Sequence, residues 1–88
     1  MEKNQYTVNF VNSSAKEFRE LPAVVKARIS VAIDGLEFSP RPTGVKKLHN
    51  EKNLYRIRVG DFRIVYQIDD GEKTILVTRI RHRKEVYR

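Results

Sequence analysis

The chain reads as an α+β domain, a small antiparallel β-sheet with an N-terminal helical hairpin packed on one face. Three observations predict it. Between residues 15 and 36 apolar residues recur at helical spacing. From residue 54 to residue 80 polar and apolar residues alternate with the two-residue period of strands, interrupted by turn residues at Gly60-Asp61 and at 69–72. The 88 residues include no cysteine, so no disulfide or thiolate-metal staple is available, and residues 1–88 can form a single domain around one core.

The elements follow in order. Tyr6, Val8 and Phe10 share one face of a first strand. Ser13 and Ser14 offer an N-cap, and Ser14 with Glu17 three residues on matches a capping box. Ala15, Phe18 and Leu21 give that short helix an apolar side. Pro22 suits the first turn of a second helix. There Val25, Ile29, Ala32, Ile33 and Leu36 line one side, Lys26, Arg28, Ser30 and Asp34 the other, with an end expected near Phe38. A loop over 39–44 and a short strand over 45–48 lead to two strands, 54–59 and 62–68, joined at Gly60-Asp61 as a tight hairpin. Closing that ladder sets Val59 opposite Phe62, Arg58 opposite Arg63, Ile57 opposite Ile64 and Tyr55 opposite Tyr66. A four-residue loop over 69–72 then pairs Tyr66 with Ile75 and Ile64 with Val77 on a last strand through 73–80.

Charge narrows the partner. Residues 1–40 hold five Lys/Arg and five Asp/Glu, whereas residues 41–88 hold thirteen and six, so the whole net +7 lies in the second half. A basic excess confined to part of a small domain suits a polyanion, nucleic acid first, although an acidic protein would satisfy the same field. The first residues lack the basic start and apolar run of a secretory signal, and no apolar run approaches the ~18 residues of a membrane span. A soluble, cytoplasmic protein without a membrane role is expected.

The hairpin concentrates this charge. Its polar face carries Arg56, Arg58 and Arg63, and directly opposed like charges cost a few tenths to about 1 kcal/mol in a sheet. An anion between the guanidiniums would reverse that cost, while long arginines can also splay into water. The tail adds Arg81, His82, Arg83, Lys84 and Tyr87. Unbroken alternation would turn Arg81 to the core, so the last strand should end or bulge near Ile80 and release it. Lys46 and Lys47 would extend the basic surface as RNA-binding residues, with Arg83 and Lys84.

Cleaving RNA through its own 2′-hydroxyl needs a proton acceptor, a proton donor and cations around the transition state. Arginine clamps phosphate through paired hydrogen bonds and stays charged, so Arg56, Arg58, Arg63 and Arg81 can supply charge but not ordinary proton transfer. His82 is the side chain type titrating nearest neutrality and is the natural acid or base. Tyr87 could stack on a base or transfer a proton. Truncating Arg63 or Arg81 should remove charge and no core volume. Two distant histidines and no cysteine make no metal site, no glycine loop suits a phosphate cofactor, and no serine or cysteine nucleophile arrangement is present.

Several segments together resemble the RelE/ParE superfamily of type II toxins, the RelE branch in particular. They are Tyr6, Val8 and Phe10; Ala15 to Phe18 with Leu21; Pro42, Gly44, Lys46, Lys47 and Leu48; the run from Tyr55 to Tyr66; and Ile80, His82, Arg83, Val86 and Tyr87. The resemblance covers almost the whole chain and rests on the order and spacing of the segments. It implies a RelE-like, microbial-RNase-like fold and a ribosome-dependent endoribonuclease that cuts messenger RNA in the ribosomal A site by metal-independent 2′-hydroxyl transesterification. It also implies a cognate RelB-like antitoxin as partner. RelE-type catalytic positions map onto Arg56, Arg58, Arg63, Arg81 and Tyr87. The best-known pattern has lysines at the first two, which leaves proton transfer here to His82, Tyr87 or ribosomal RNA. The alternative branch, ParE, implies a DNA gyrase poison without nuclease activity.

Overall fold

The computed structural model describes residues 5–48 and 52–82. The elements run β1 (Thr7–Phe10), α1 (Asn12–Arg19), α2 (Ala23–Leu36), β2 (Lys46–Lys47), β3 (Leu54–Val59), β4 (Phe62–Asp69) and β5 (Thr74–His82). The strands form one sheet in the order β1-β5-β4-β3-β2. Neither helix is long and apolar enough to cross a membrane.

The α+β architecture is the expected one, but the sheet is mixed. β2 to β5 are antiparallel, while β1 lies parallel to β5 with Val8 beside Ile75 and Phe10 beside Val77. Alternation correctly predicts that Tyr6, Val8 and Phe10 face the core. It carries no information on direction, which is set here by α1 and α2 taking the chain from one sheet edge to the other.

One sheet face packs on the helices. Ile29, Ile33 and Leu36 of α2 meet Tyr55, Ile57, Ile64, Tyr66, Ile68, Ile75, Val77 and Ile80, all buried. Tyr66 is fully buried, and its hydroxyl donates to the Pro40 carbonyl at 2.7 Å, which satisfies a polar group that would otherwise be costly to enclose. Tyr55 and Tyr66 stack as opposed residues, ring centres 6.1 Å apart.

The start of α1 differs from expectation. The helix begins at Asn12, with Val11 at the N-cap and no side-chain cap. Ser14 lies inside it, fully buried, and its Oγ donates to the Val77 carbonyl at 2.6 Å. Glu17 reaches β5 as well. The Ser-x-x-Glu pattern therefore joins a helix to a strand here, because both side chains find stronger partners on β5 than at the helix terminus.

The β4–β5 connection is shifted. The loop is 70–73, closed by Asp69 opposite Thr74, with Lys73 at φ +58° and the Asp69 carboxylate accepting from the Glu72 N–H at 3.0 Å. Tyr66 accordingly pairs with Val77, not Ile75, and Ile64 with Ile80, not Val77. The first pairing is displaced by two residues and the second by three. The extra residue is a bulge at Val65/Tyr66.

Candidate functional site

The hairpin positions the first half of the site. Gly60 takes φ +60°, the left-handed conformation a tight turn requires and glycine tolerates, and all four expected β3–β4 pairs are present. Arg58 is directly opposite Arg63.

The bulge positions the second half. Between Tyr66 opposite Val77 and Val65 opposite Arg79, Thr78 is the additional residue, and its hydroxyl donates to the Val65 carbonyl at 3.2 Å. Alternation restarts beyond it. Ile80 therefore turns inward to the core, and Arg79 and Arg81 turn to the opposite face. The expected bulge exists, two residues before Ile80.

Two cationic rows result. Arg58, Arg63 and Arg81 are lateral neighbours on β3, β4 and β5. One step along the strands, Lys46, Arg56, Val65 and Arg79 form a second row across β2 to β5. Neighbouring strands lie about 4.8 Å apart, so the backbones of Arg58 and Arg81, and of Arg56 and Arg79, stand about 10 Å apart on one face.

The arginines are not equivalent. Arg58 stands in solvent, whereas Arg63 keeps only 6% of its surface exposed. Arg63 thus departs from the expectation that it holds no core volume, because it is the middle member of its row, with Arg58 on one side and Arg81 on the other. Arg81 is held from the sheet edge. Glu17 of α1 accepts from the Ile80 N–H at 2.7 Å with one carboxylate oxygen and from Arg81 Nε at 3.1 Å with the other. Glu17 thus engages Arg81 through Nε.

The remaining candidates are placed as follows. His82 is opposite Phe62, on the helix side of the sheet, with its ring edge-on to Phe62 at 5.1 Å. The structure does not bring it into the arginine rows, since one residue separates the two faces. Lys46 joins the second row, while Lys47, opposite Tyr55, belongs to the other face. Arg83, Lys84 and Tyr87 lie outside the described residues. Sequence reasoning missed Glu17 as an anchor for Arg81 and Arg79 as a member of the basic face. A signal for Arg79 existed: inward residues Ile75, Val77 and Ile80 break the two-residue period once, between Val77 and Ile80.

A polar cluster lies away from these rows. Arg41 pairs with Asp70 at 2.9 Å and donates to the Tyr55 hydroxyl at 3.2 Å, while the Tyr6 hydroxyl donates to Asp70 at 2.7 Å. Arg41, and then Tyr6, hold the Asp70 carboxyl below its ordinary value. The hydrogen bond to Asp70, and then burial, push the Tyr6 phenol up. The cluster ties β1, the loop after α2 and the β4–β5 turn together.

A family model described as the ParE toxin of the type II toxin-antitoxin system, parDE, matches residues 5–87. Toxin RelE of Mycobacterium tuberculosis is 33% identical over 85 residues, covering 94% of this chain and 87% of that protein. Toxin RelG of the same organism is 29% identical over 84 residues, covering 94% and 97%. Among solved structures, the archaeal RelE–RelB complex from Pyrococcus horikoshii superposes with a TM-score of 0.80 at 30% identity, covering 90% of this chain and 96% of that one. With two helices and a five-stranded mixed sheet among the described residues, and with this breadth of similarity, the chain belongs to the RelE/ParE superfamily of type II toxin-antitoxin toxins.

Proposed function

We propose that this toxin is a ribosome-dependent endoribonuclease that cuts messenger RNA in the ribosomal A site and so halts translation. The observation that carries the proposal is the lateral row Arg58, Arg63 and Arg81. In the reaction, the 2′-oxygen bonds to the adjacent phosphorus and the bond from phosphorus to the 5′-oxygen breaks. The 2′-hydroxyl gives up its proton and the departing 5′-oxygen gains one, leaving a 2′,3′-cyclic phosphate and a free 5′-hydroxyl. Negative charge grows on the phosphoryl oxygens in between, and fixed guanidiniums stabilise it without having to reorganise.

Arg58 and Arg81 face the phosphate from either side and Arg63 adds charge from the middle of the row, while Arg56 stands in the adjacent row. None of these accepts a proton at working pH. His82 sits on the other face of the sheet, so we assign the proton steps to Tyr87 or to ribosomal RNA. The RelE names of the relatives support the branch. The solved RelE–RelB complex supports a RelB-like antitoxin as the cognate partner, for which the basic rows offer an electrostatic target.

The description of the matching family model favours a second reading, a ParE-type toxin acting on DNA gyrase. One experiment separates the two: induced expression with messenger 5′ ends mapped and gyrase-linked DNA breaks scored in the same cells. Cuts within translated codons are the expected result. DNA breaks with intact messengers would overturn the nuclease.

A further inference from the structure

We propose that Lys46, Arg56 and Arg79 form a second phosphate subsite, which holds the RNA phosphate one nucleotide away from the one cut at the Arg58–Arg63–Arg81 row. This rests on the nuclease reading and deepens it, adding a binding residue, Arg79, on the last strand.

The geometry is that of two parallel rows on one sheet face. Along β3 the rows are two residues apart at Arg58 and Arg56, along β4 at Arg63 and Val65, and along β5 at Arg81 and Arg79. Two residues of extended strand span about 7 Å, comparable to the step between successive phosphates of an extended single strand. A strand laid along β4 would therefore meet one row and then the other in register. Arg56 and Arg79 flank Val65, two strand spacings or about 10 Å apart, so their side chains can converge on one phosphate from opposite sides. Val65 leaves a half-buried apolar floor between them for the ribose.

Charge falls away beyond the second row. The next positions on this face are Leu54, Gln67 and Leu76, followed by Asp69 and Thr74. Among the described residues, the cations of this face thus stop at the second row on the side of the β4–β5 turn, which marks the Arg56–Arg79 row as the outer subsite at that end. The bulge supports the same reading. By moving Ile80 inward it turns Arg79 outward together with Arg81, and Arg79 remains exposed.

The test measures binding to a short single-stranded oligodeoxynucleotide, which lacks the 2′-hydroxyl and is not cleaved, by fluorescence anisotropy over rising salt. Each phosphate contact on a single strand contributes about 0.7 to the slope of log affinity against log salt. Arg79→Ala should lower the slope by about 0.7, whereas Arg28→Ala, which removes the same charge from exposed surface on the helix side, should leave it unchanged. In a second measurement, a deoxytrinucleotide with two phosphodiesters should bind wild type more tightly than a dinucleotide with one, and Arg79→Ala should erase that preference. An unchanged slope for Arg79→Ala, an equal loss for Arg28→Ala, or a preserved preference overturns the subsite while leaving the nuclease standing. Wild-type protein that leaves messenger intact on programmed ribosomes instead removes the nuclease reading on which the subsite depends.

Discussion

Thr78 and Val65 are joined across β5 and β4 by a 3.2 Å hydrogen bond at the one point where this ladder gains a residue. Everything on β5 beyond that bond has its sides exchanged relative to an unbroken strand. Ile80 enters the core and Arg79 and Arg81 leave it. The bulge absorbs that one residue, so that Arg79 and Arg81 join the hairpin arginines in two cationic rows.

Deleting Thr78 tests this. Val77, Arg79, Ile80 and Arg81 would then alternate without a bulge, with Val77 and Ile80 still inward and both arginines still outward. The deletion should therefore cost no more than about 1–2 kcal/mol in urea unfolding, for the lost hydrogen bond and local rearrangement, and keep growth arrest. Loss of growth arrest with the fold intact would show that the bulge itself, and not the side on which Arg79 and Arg81 stand, is what activity needs. Thr78→Val keeps the residue count and loses one hydrogen bond, so it should cost only about 1 kcal/mol and retain activity.

Much of the fold could be read in the sequence, and the failures have physical causes. The β3–β4 register was legible because a two-residue turn leaves one pairing that keeps Tyr55, Ile57, Ile64 and Tyr66 on one side. The β4–β5 register was not, because a four-residue loop can close at more than one place, and the bulge adds an offset that alternation alone does not locate. Ser14 and Glu17 misled for a different reason. Their spacing fits a cap, yet a buried hydroxyl and a half-buried carboxylate gain more from backbone groups on β5 than from the exposed end of α1. Of the site, the arginines of the hairpin and the release of Arg81 were readable. The position of His82 on the helix side and the part played by Arg79 both depend on where the bulge falls.

Glu17 fixes Arg81 through Nε and the Ile80 amide together. Both partners of this ion pair are partly exposed, with side-chain exposures of 25% and 35%, so its stabilising effect is at most about 1 kcal/mol. Its effect on activity should be larger. Freed from Glu17, Arg81 samples other rotamers, and misplacing a catalytic group by about 1 Å can cost as much as 100-fold. Glu17→Ala should slow single-turnover cleavage on programmed ribosomes by tenfold or more, on the order expected for a displaced charge, with little change in unfolding midpoint. Glu17→Gln, which still accepts from Ile80, should fall between. Cleavage at the wild-type rate by both variants would remove Glu17 from this role.

Arg58 and Arg63 are neighbours with different surroundings, and their alanine variants should separate catalysis from stability. Arg58 is exposed, so Arg58→Ala should change stability by no more than about 0.5 kcal/mol. Arg63 is 6% exposed and its stem packs within the sheet face, so Arg63→Ala should cost about 1–3 kcal/mol as well as its charge. Both should lose toxicity, since removal of one preorganised donor of this kind costs about 3–4 kcal/mol of transition-state stabilisation. Equal unfolding midpoints for the two variants would show that burial of Arg63 contributes nothing.

The Arg41–Asp70–Tyr6 cluster predicts a stability window bounded on both sides. Asp70 has its folded value lowered, by Arg41 first and Tyr6 second. Its contribution is therefore complete above the ordinary carboxylate value near 3.9 and is lost as pH falls through the lower folded value. Tyr6 is raised, mainly by donating to Asp70, so its contribution is complete below the ordinary tyrosine value near 10 and is lost as pH rises through the higher folded value. Burial pushes the Tyr66 phenol up as well, and its share is lost on the same alkaline side. The difference in urea midpoint between wild type and Asp70→Asn should hold steady between about pH 5 and 9 and shrink below about pH 4. Tyr6→Phe should flatten part of the alkaline limb and leave Tyr66 to account for the remainder. A wild-type difference that persists unchanged at pH 2 would mean that Asp70 acts by packing and not by charge.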